Sequence, residues 1–105
     1  MKLSIVLPVY NEEESIPRLI SEIHDAIRPC GFTYEIVLVD DGSRDRSFEL
    51  LKTMAIDDPA LVVLSFRRNF GQTAAMQAGL DQARGDVIAL MDADLQNDPA
   101  DIPRM

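Results

Sequence analysis

The residues best equipped to do chemistry stand near the end of the 105-residue sequence, in Asp92-Ala93-Asp94-Leu95-Gln96. They follow an unbroken apolar run, Val87 to Met91, of the kind carried by a strand buried on both faces. In an extended chain, residues i and i+2 point to the same side. Asp92 and Asp94 then offer their oxygens to one space, and Gln96 continues the row. Two carboxylates and an amide oxygen are hard ligands that suit Mg²⁺ or Mn²⁺. The same short pattern also fits an acidic turn that leads from a buried strand into a helix. A second acidic pair, Asp40-Asp41-Gly42-Ser43, follows another apolar run, Ile36 to Val39. The Asp41 carboxylate is suited to accept hydrogen bonds from a base N–H or a ribose hydroxyl, Gly42 lets the backbone turn tightly beside it, and Tyr10 could stack on a flat base. The alternative for this stretch is a turn with a helix cap.

These residues need elements to position them. Leu3 to Val9 reads as a first strand that ends in Pro8-Val9-Tyr10-Asn11-Glu12. Ile16, Leu19, Ile20, Ile23 and Ile27 then recur at helical spacing, with Asn11 or Ser15 as a possible cap and Pro17 in the first turn. Pro29 and Gly31 end this helix. His24 reads as a surface or boundary residue, because no histidine or cysteine cluster accompanies it. Tyr34 to Val39 is a second strand. The helix after it uses Phe48, Leu51 and Met54, with Ser43 or Asp45 as its cap. Leu61 to Phe66 is a third strand, ending in Arg67-Arg68-Asn69-Phe70-Gly71. A helix over about 72 to 83 is rich in small residues, which let it lie close to a sheet. Gly85-Asp86 turns the chain into the fourth strand, and Asp98-Pro99 reads as a further helix start.

The order βαβαβαβ predicts an α/β domain with a parallel, Rossmann-like sheet and right-handed crossovers, spanning 1–105. Such sheets bind ligands at the carboxyl ends of their strands. All four ends carry polar residues: Pro8-Tyr10-Glu12, Asp40-Asp41, Arg67-Arg68-Asn69 and Asp92-Asp94. Gathered carboxylates repel one another, and a divalent cation is an economical solution, with the arginines assisting.

Composition narrows the partners. A net charge of -8 disfavours nucleic acid. The one cysteine, Cys30, forms no internal disulfide, which fits a reducing compartment. No run approaches the ~20 apolar residues of a membrane helix, and the N-terminus does not read as a signal peptide. Neither a dinucleotide fingerprint nor a P-loop is present. The sequence stops just after a helix start and reads as the front part of something longer.

Taken together, Leu7-Pro8-Val9-Tyr10-Asn11-Glu12, Val39-Asp40-Asp41-Gly42-Ser43, Arg68 to Gly79, Gly85-Asp86 and Asp92 to Gln96 resemble inverting family-two glycosyltransferases of the GT-A fold. The nearest subset is the dolichol-phosphate mannosyltransferase and bacterial polyprenyl-phosphate glycosyltransferase group. The resemblance implies that Pro8, Tyr10, Glu12, Val39 and Asp41 line a nucleotide pocket and that Asp92 and Ala93 contact the nucleotide sugar. It also implies that Asp94 and Gln96, beside Asp92, hold the metal, with Asp92 and Asp94 as the catalytic acids and Asp40 in support. The implied reaction moves a sugar from a UDP- or GDP-sugar to a polyprenyl phosphate (dolichyl or undecaprenyl) with inversion. The implied location is the cytoplasm, at the cytoplasmic face of a membrane, with membrane contact through a further C-terminal part. The alternatives are a Mg²⁺-dependent phosphoacceptor receiver-like domain, a haloacid dehalogenase-type phosphatase, and a non-catalytic nucleotide-binding module. The first would need a lysine on a later strand. The second usually opens its fold with the acidic pair.

Overall fold

The computed structural model describes residues 2–90. Strands β1 (Lys2–Val9), β2 (Thr33–Asp40), β3 (Leu61–Ser65) and β4 (Val87–Leu90) alternate with helices α1 (Ile16–Ile27), α2 (Ser47–Asp57) and α3 (Gln72–Gln82). All pairings are parallel, in the order β3-β2-β1-β4. The α/β class and the parallel sheet therefore stand as the sequence predicts. The first three strands run left from β1 and the chain then crosses to its other side. The reversal of strand order falls between β1 and β4, and open α/β sheets take ligands at the carboxyl ends of their strands beside such a reversal.

The pleat sorts the core into two layers. Leu3, Ile5, Leu7 and Val9 of β1, with Ile36 and Leu38 of β2, bury one face against Ile16, Leu19, Ile20, Ile23 and Ile27 of α1 and Leu51 of α2. Val6, Val37 and Val39 face the other way, with Ala75 of α3. Each fully buried Ile or Leu on the α1 stripe contributes about 1.5–3 kcal/mol of transfer free energy. The small residues of α3 serve the close approach that the sequence suggests. A Cβ on Gly79 would lie 2.3 Å from Val6 Cγ1.

The α3–β4 connection is tied to the amino ends of the central strands. Ser4 Oγ donates to Glu35 Oε2 at 2.6 Å and accepts from Gly85 N–H at 2.7 Å, while Arg84 N–H donates to the same Glu35 oxygen at 2.7 Å. Gly85 has no room for a side chain, since a Cβ would sit 2.6 Å from Ser4 N. Burial by itself would raise the pKa of Glu35. The hydrogen bonds from Ser4 and Arg84 and the charges of Lys2 and Arg84 outweigh it and hold the carboxyl below its ordinary value.

Three expectations need correction. Strand β4 is not buried on both faces among the described residues. Ala89 is buried, but Val87, Ile88 and Leu90 are each 41% exposed, because β4 is the sheet edge and the helices pack over β1 and β2. His24 is buried and not at a boundary. Its Nδ1 bonds the Tyr34 hydroxyl, and its Nε2 lies 2.6 Å from Asp58 Oδ2, so both ring nitrogens have partners in the interior. The expected caps hold only in part, with Ser15 and Asp45 at the helix starts but not in the expected manner. Ser15 occupies the N-cap of α1 without a side-chain bond, and the Glu12 carbonyl accepts from Ser15 and Ile16 N–H instead. Asp45 caps α2 from one residue before the N-cap, accepting from Ser47 N–H at 2.9 Å.

Candidate nucleotide-sugar site

The site forms where β1 and β2 leave the sheet side by side. Pro8 pairs with Val39 and Val9 with Asp40, and Asp41 N–H extends the ladder to Val9 O at 2.8 Å. The two loops that follow are laced together. Asn11 adopts positive φ (52°), a conformation asparagine tolerates better than most residues. Its N–H donates to Ser43 Oγ at 2.9 Å and its Oδ1 accepts from Arg44 N–H at 2.8 Å. Glu12 N–H donates to Ser47 Oγ at 3.0 Å, and that hydroxyl donates to Asp45 Oδ1 at 2.6 Å. Burial would raise the pKa of Asp45. The Ser47 hydroxyl and N–H, the Glu13 N–H and its own N–H more than offset this and lower it.

A third loop closes over the pair. Gly42, at φ +70°, packs against the β3–α3 connection so tightly that a Cβ would stand 2.2 Å from the carbonyl carbon of Arg68. The Asp41 side chain is buried among the N–H groups of this connection. Its Oδ1 accepts from Phe70 N–H at 2.8 Å, and its Oδ2 accepts from Gly71 N–H at 3.0 Å and from Asn69 Nδ2 at 3.0 Å. Asp40 is buried too. Its Oδ2 accepts from Ser43 N–H at 3.3 Å, and its Oδ1 has no hydrogen-bond partner among the described residues. Much of the charge repulsion expected along this edge is thus met by backbone donors and does not by itself require a cation.

The structure brings together part of the residue set chosen from sequence. Tyr10 is exposed and Glu12 and Pro8 are half-buried at the edge. The Val39 side chain is fully buried against α3, which leaves its backbone as the part available to a ligand. Asp92, Ala93, Asp94 and Gln96 lie outside the described residues, and among those described no group of three acidic, histidine or cysteine side chains is placed to hold a metal. Arg68 lies with its guanidinium 4.9 Å from the centre of the Phe70 ring. Sequence reasoning did not identify Asn11, Asp45, Ser47 or Asn69 as the residues that fix the three loops. Asn11 carried a usable signal, since asparagine tolerates positive φ. Asn69 carried none beyond the resemblance.

An open parallel α/β sheet with its loops gathered at one carboxyl edge is the architecture of a ligand-binding α/β domain, and the family match below makes it a glycosyltransferase. Residues 4–105 match glycosyl transferase family 2, and the chain belongs to that family. Undecaprenyl-phosphate 4-deoxy-4-formamido-L-arabinose transferase of Pseudomonas paraeruginosa is 54% identical over 104 residues, covering 98% of this chain and 31% of that protein. The enzyme of the same name from Pectobacterium atrosepticum is 53% identical over 105 residues, covering 98% of this chain and 32% of its own length. The chain therefore spans about a third of these curated relatives. Among GT-A structures, S. aureus TarS 1-349 in complex with UDP is similar with a TM-score of 0.77 at 28% identity, over 90% of this chain and 28% of that one. Mannosyltransferase PcManGT from Pyrobaculum calidifontis, in complex with GDP-Man and Mn²⁺, is similar with a TM-score of 0.78 at 26% identity, over 88% of this chain and 27% of that one.

Proposed function

We propose that this chain supplies the donor-binding part of a glycosyltransferase that moves a sugar from a nucleoside diphosphate to a polyprenyl phosphate, with inversion, at the cytoplasmic face of a membrane. The observation that carries this reading is the gathering of Tyr10, Glu12, Asp40 and Asp41 at one carboxyl edge, beside the strand that leads into Asp92-Ala93-Asp94-Leu95-Gln96. The names of the curated relatives support undecaprenyl phosphate as the acceptor. Pro8, Tyr10, Glu12, the Val39 backbone and Asp41 hold the nucleotide in this reading, and Asp92 and Ala93 contact the sugar nucleotide. The donor set of Asp94, Gln96 and Asp92 consists of hard oxygens and fits Mg²⁺ or Mn²⁺. When bound, the metal neutralises charge that develops on the leaving diphosphate. An acceptor phosphate is already anionic and needs little help from a general base. Among the described residues no helix is long and apolar enough to cross a membrane, so membrane contact rests on the acceptor's chemistry.

Calorimetry tests the reading. UDP or GDP should bind with Mn²⁺ present and lose that binding in EDTA, because Asp92 and Asp94 would repel a diphosphate unless a cation stood between them. Equal affinity with and without metal would remove the metal from the proposal. No binding of either nucleotide would remove the pocket.

A further inference from the structure

Asp41 sits in this pocket, yet its carboxylate is already engaged by a loop about 30 residues away. An ionised carboxylate offers about four acceptor positions. Three are taken, by Phe70 N–H, Gly71 N–H and Asn69 Nδ2, and among the described residues the fourth, on Oδ1 of this buried side chain, has no donor. Two of the three donors are backbone groups and cannot be varied by sequence. The third belongs to a side chain. The Asn69 amide nitrogen lies 3.0 Å from Asp41 Oδ2 and 3.2 Å from the Asp41 carbonyl oxygen. Both partners are acceptors, so the amide orientation is fixed by chemistry. One NH₂ group thus spans the side chain and backbone of the same aspartate and sets the rotation of its carboxylate. Resting on the nucleotide-pocket reading, we propose that Asn69 is a positioning residue for nucleotide recognition: its amide holds the Asp41 carboxylate in the orientation that presents the remaining acceptor position of Oδ1 to a donor on the nucleotide.

The charged groups on the surrounding elements are Asp40 on β2, Arg44, Asp45 and Arg46 on the β2–α2 loop, Arg67 and Arg68 on the β3–α3 loop, and Glu12, Glu13 and Glu14 on the β1–α1 loop. None of these side chains is hydrogen-bonded to the Asp41 carboxylate among the described residues. The local balance at Asp41 therefore turns on Asn69. Replacing Asn69 by its isostere in Asn69→Asp makes this testable. When protonated, the new acid donates an O–H to Asp41 Oδ2 where the amide donated an N–H. When ionised, it repels the same carboxylate and turns it away.

The experiment measures binding of UDP and of GDP, each with Mn²⁺, to wild type, Asn69→Asp, Asn69→Ala and Asp41→Ala between about pH 5 and pH 8. Circular dichroism and urea melts verify folding. Relative to wild type, Asn69→Asp should lose affinity at least about tenfold more at the upper end of this range than at the lower. Asn69→Ala should weaken binding about three- to tenfold with no added pH dependence. A loss of stability alone would not produce the pH profile. An Asn69→Asp profile parallel to wild type overturns the inference. If that variant does not fold, unchanged affinity in Asn69→Ala overturns it. Unchanged binding in Asp41→Ala removes Asp41 from the pocket, and the underlying reading of that residue falls with it.

Discussion

Replacing Gly42 by alanine combines two costs that the structure allows to be separated. Gly42 has φ +70°, a conformation in which a Cβ crowds the chain and costs about 1–2 kcal/mol. Gly31 has nearly the same angle, φ +75°, but a Cβ there meets nothing within 4 Å. Gly31→Ala should therefore lose only the conformational term. At Gly42 the added atom would lie 2.2 Å from Arg68 C, 2.5 Å from Asn69 N and 2.6 Å from Arg68 Cα, all backbone. No side-chain rotation relieves this, so the β3–α3 connection must retreat by about an ångström to reach ordinary contact. Such a movement draws the Asn69, Phe70 and Gly71 donors away from Asp41. Losing even one hydrogen bond to a charged, buried group costs about 1.5–3 kcal/mol. Gly42→Ala should thus destabilise by about 2.5–5 kcal/mol, about 1.5–3 kcal/mol beyond Gly31→Ala. Urea unfolding of both variants at neutral pH measures the difference, and the same samples should show weakened binding of nucleotide with Mn²⁺ for Gly42→Ala alone. Equal stability losses would refute the argument that the loop is locked by close backbone approach.

Two further outcomes follow from other sites. The Glu35 carboxyl is held below its ordinary value of 4.5, so its contribution to stability is present above that pH and is lost as pH falls through the folded-state value. Urea midpoints at about pH 7 and about pH 3.5 should therefore differ less for Glu35→Gln than for wild type, and an identical difference would assign the acid sensitivity elsewhere. Asp94→Asn should abolish the stabilisation that Mn²⁺ and nucleotide together confer, while leaving metal-free stability unchanged or raised, as read by denaturant melts. Retained stabilisation would move the metal to other ligands.

The architecture was legible because its signals are local. The apolar runs of β1 to β3 and the isoleucine stripe of α1 each state their period within one element, and the alternation of strand and helix dictates a parallel sheet. The loop chemistry was not legible, because its partners are distant. Nothing near Asp41 announces that its carboxylate bonds Asn69, Phe70 and Gly71. Nothing near His24 announces Tyr34 and Asp58. The apolar composition of β4 was a sound guide to its being a strand but not to its cover, since cover depends on which elements lie over the sheet edge. The gathering of Tyr10, Glu12 and Asp41 followed from topology alone, whereas their exact roles depend on which polar atoms the loops leave open.

The placement of β1 at the centre of the sheet has a consequence for how the protein is made. Strand β1 must wait for both neighbours, which follow it in the sequence. Ser4 meets Glu35 across 31 residues, and Lys2 meets Asp86 across 84. Pairings of such long range are slow to form, because loop closure must come before any contact rewards it. Until β4 emerges, the Leu3 to Val9 segment has one edge unpaired and its apolar faces incompletely covered. A nascent chain in this condition offers an aggregation-prone strand until β4 is made. The Ser4–Glu35–Gly85 junction joins β1 and β2 to the connection that precedes β4, so it closes only after that connection is made.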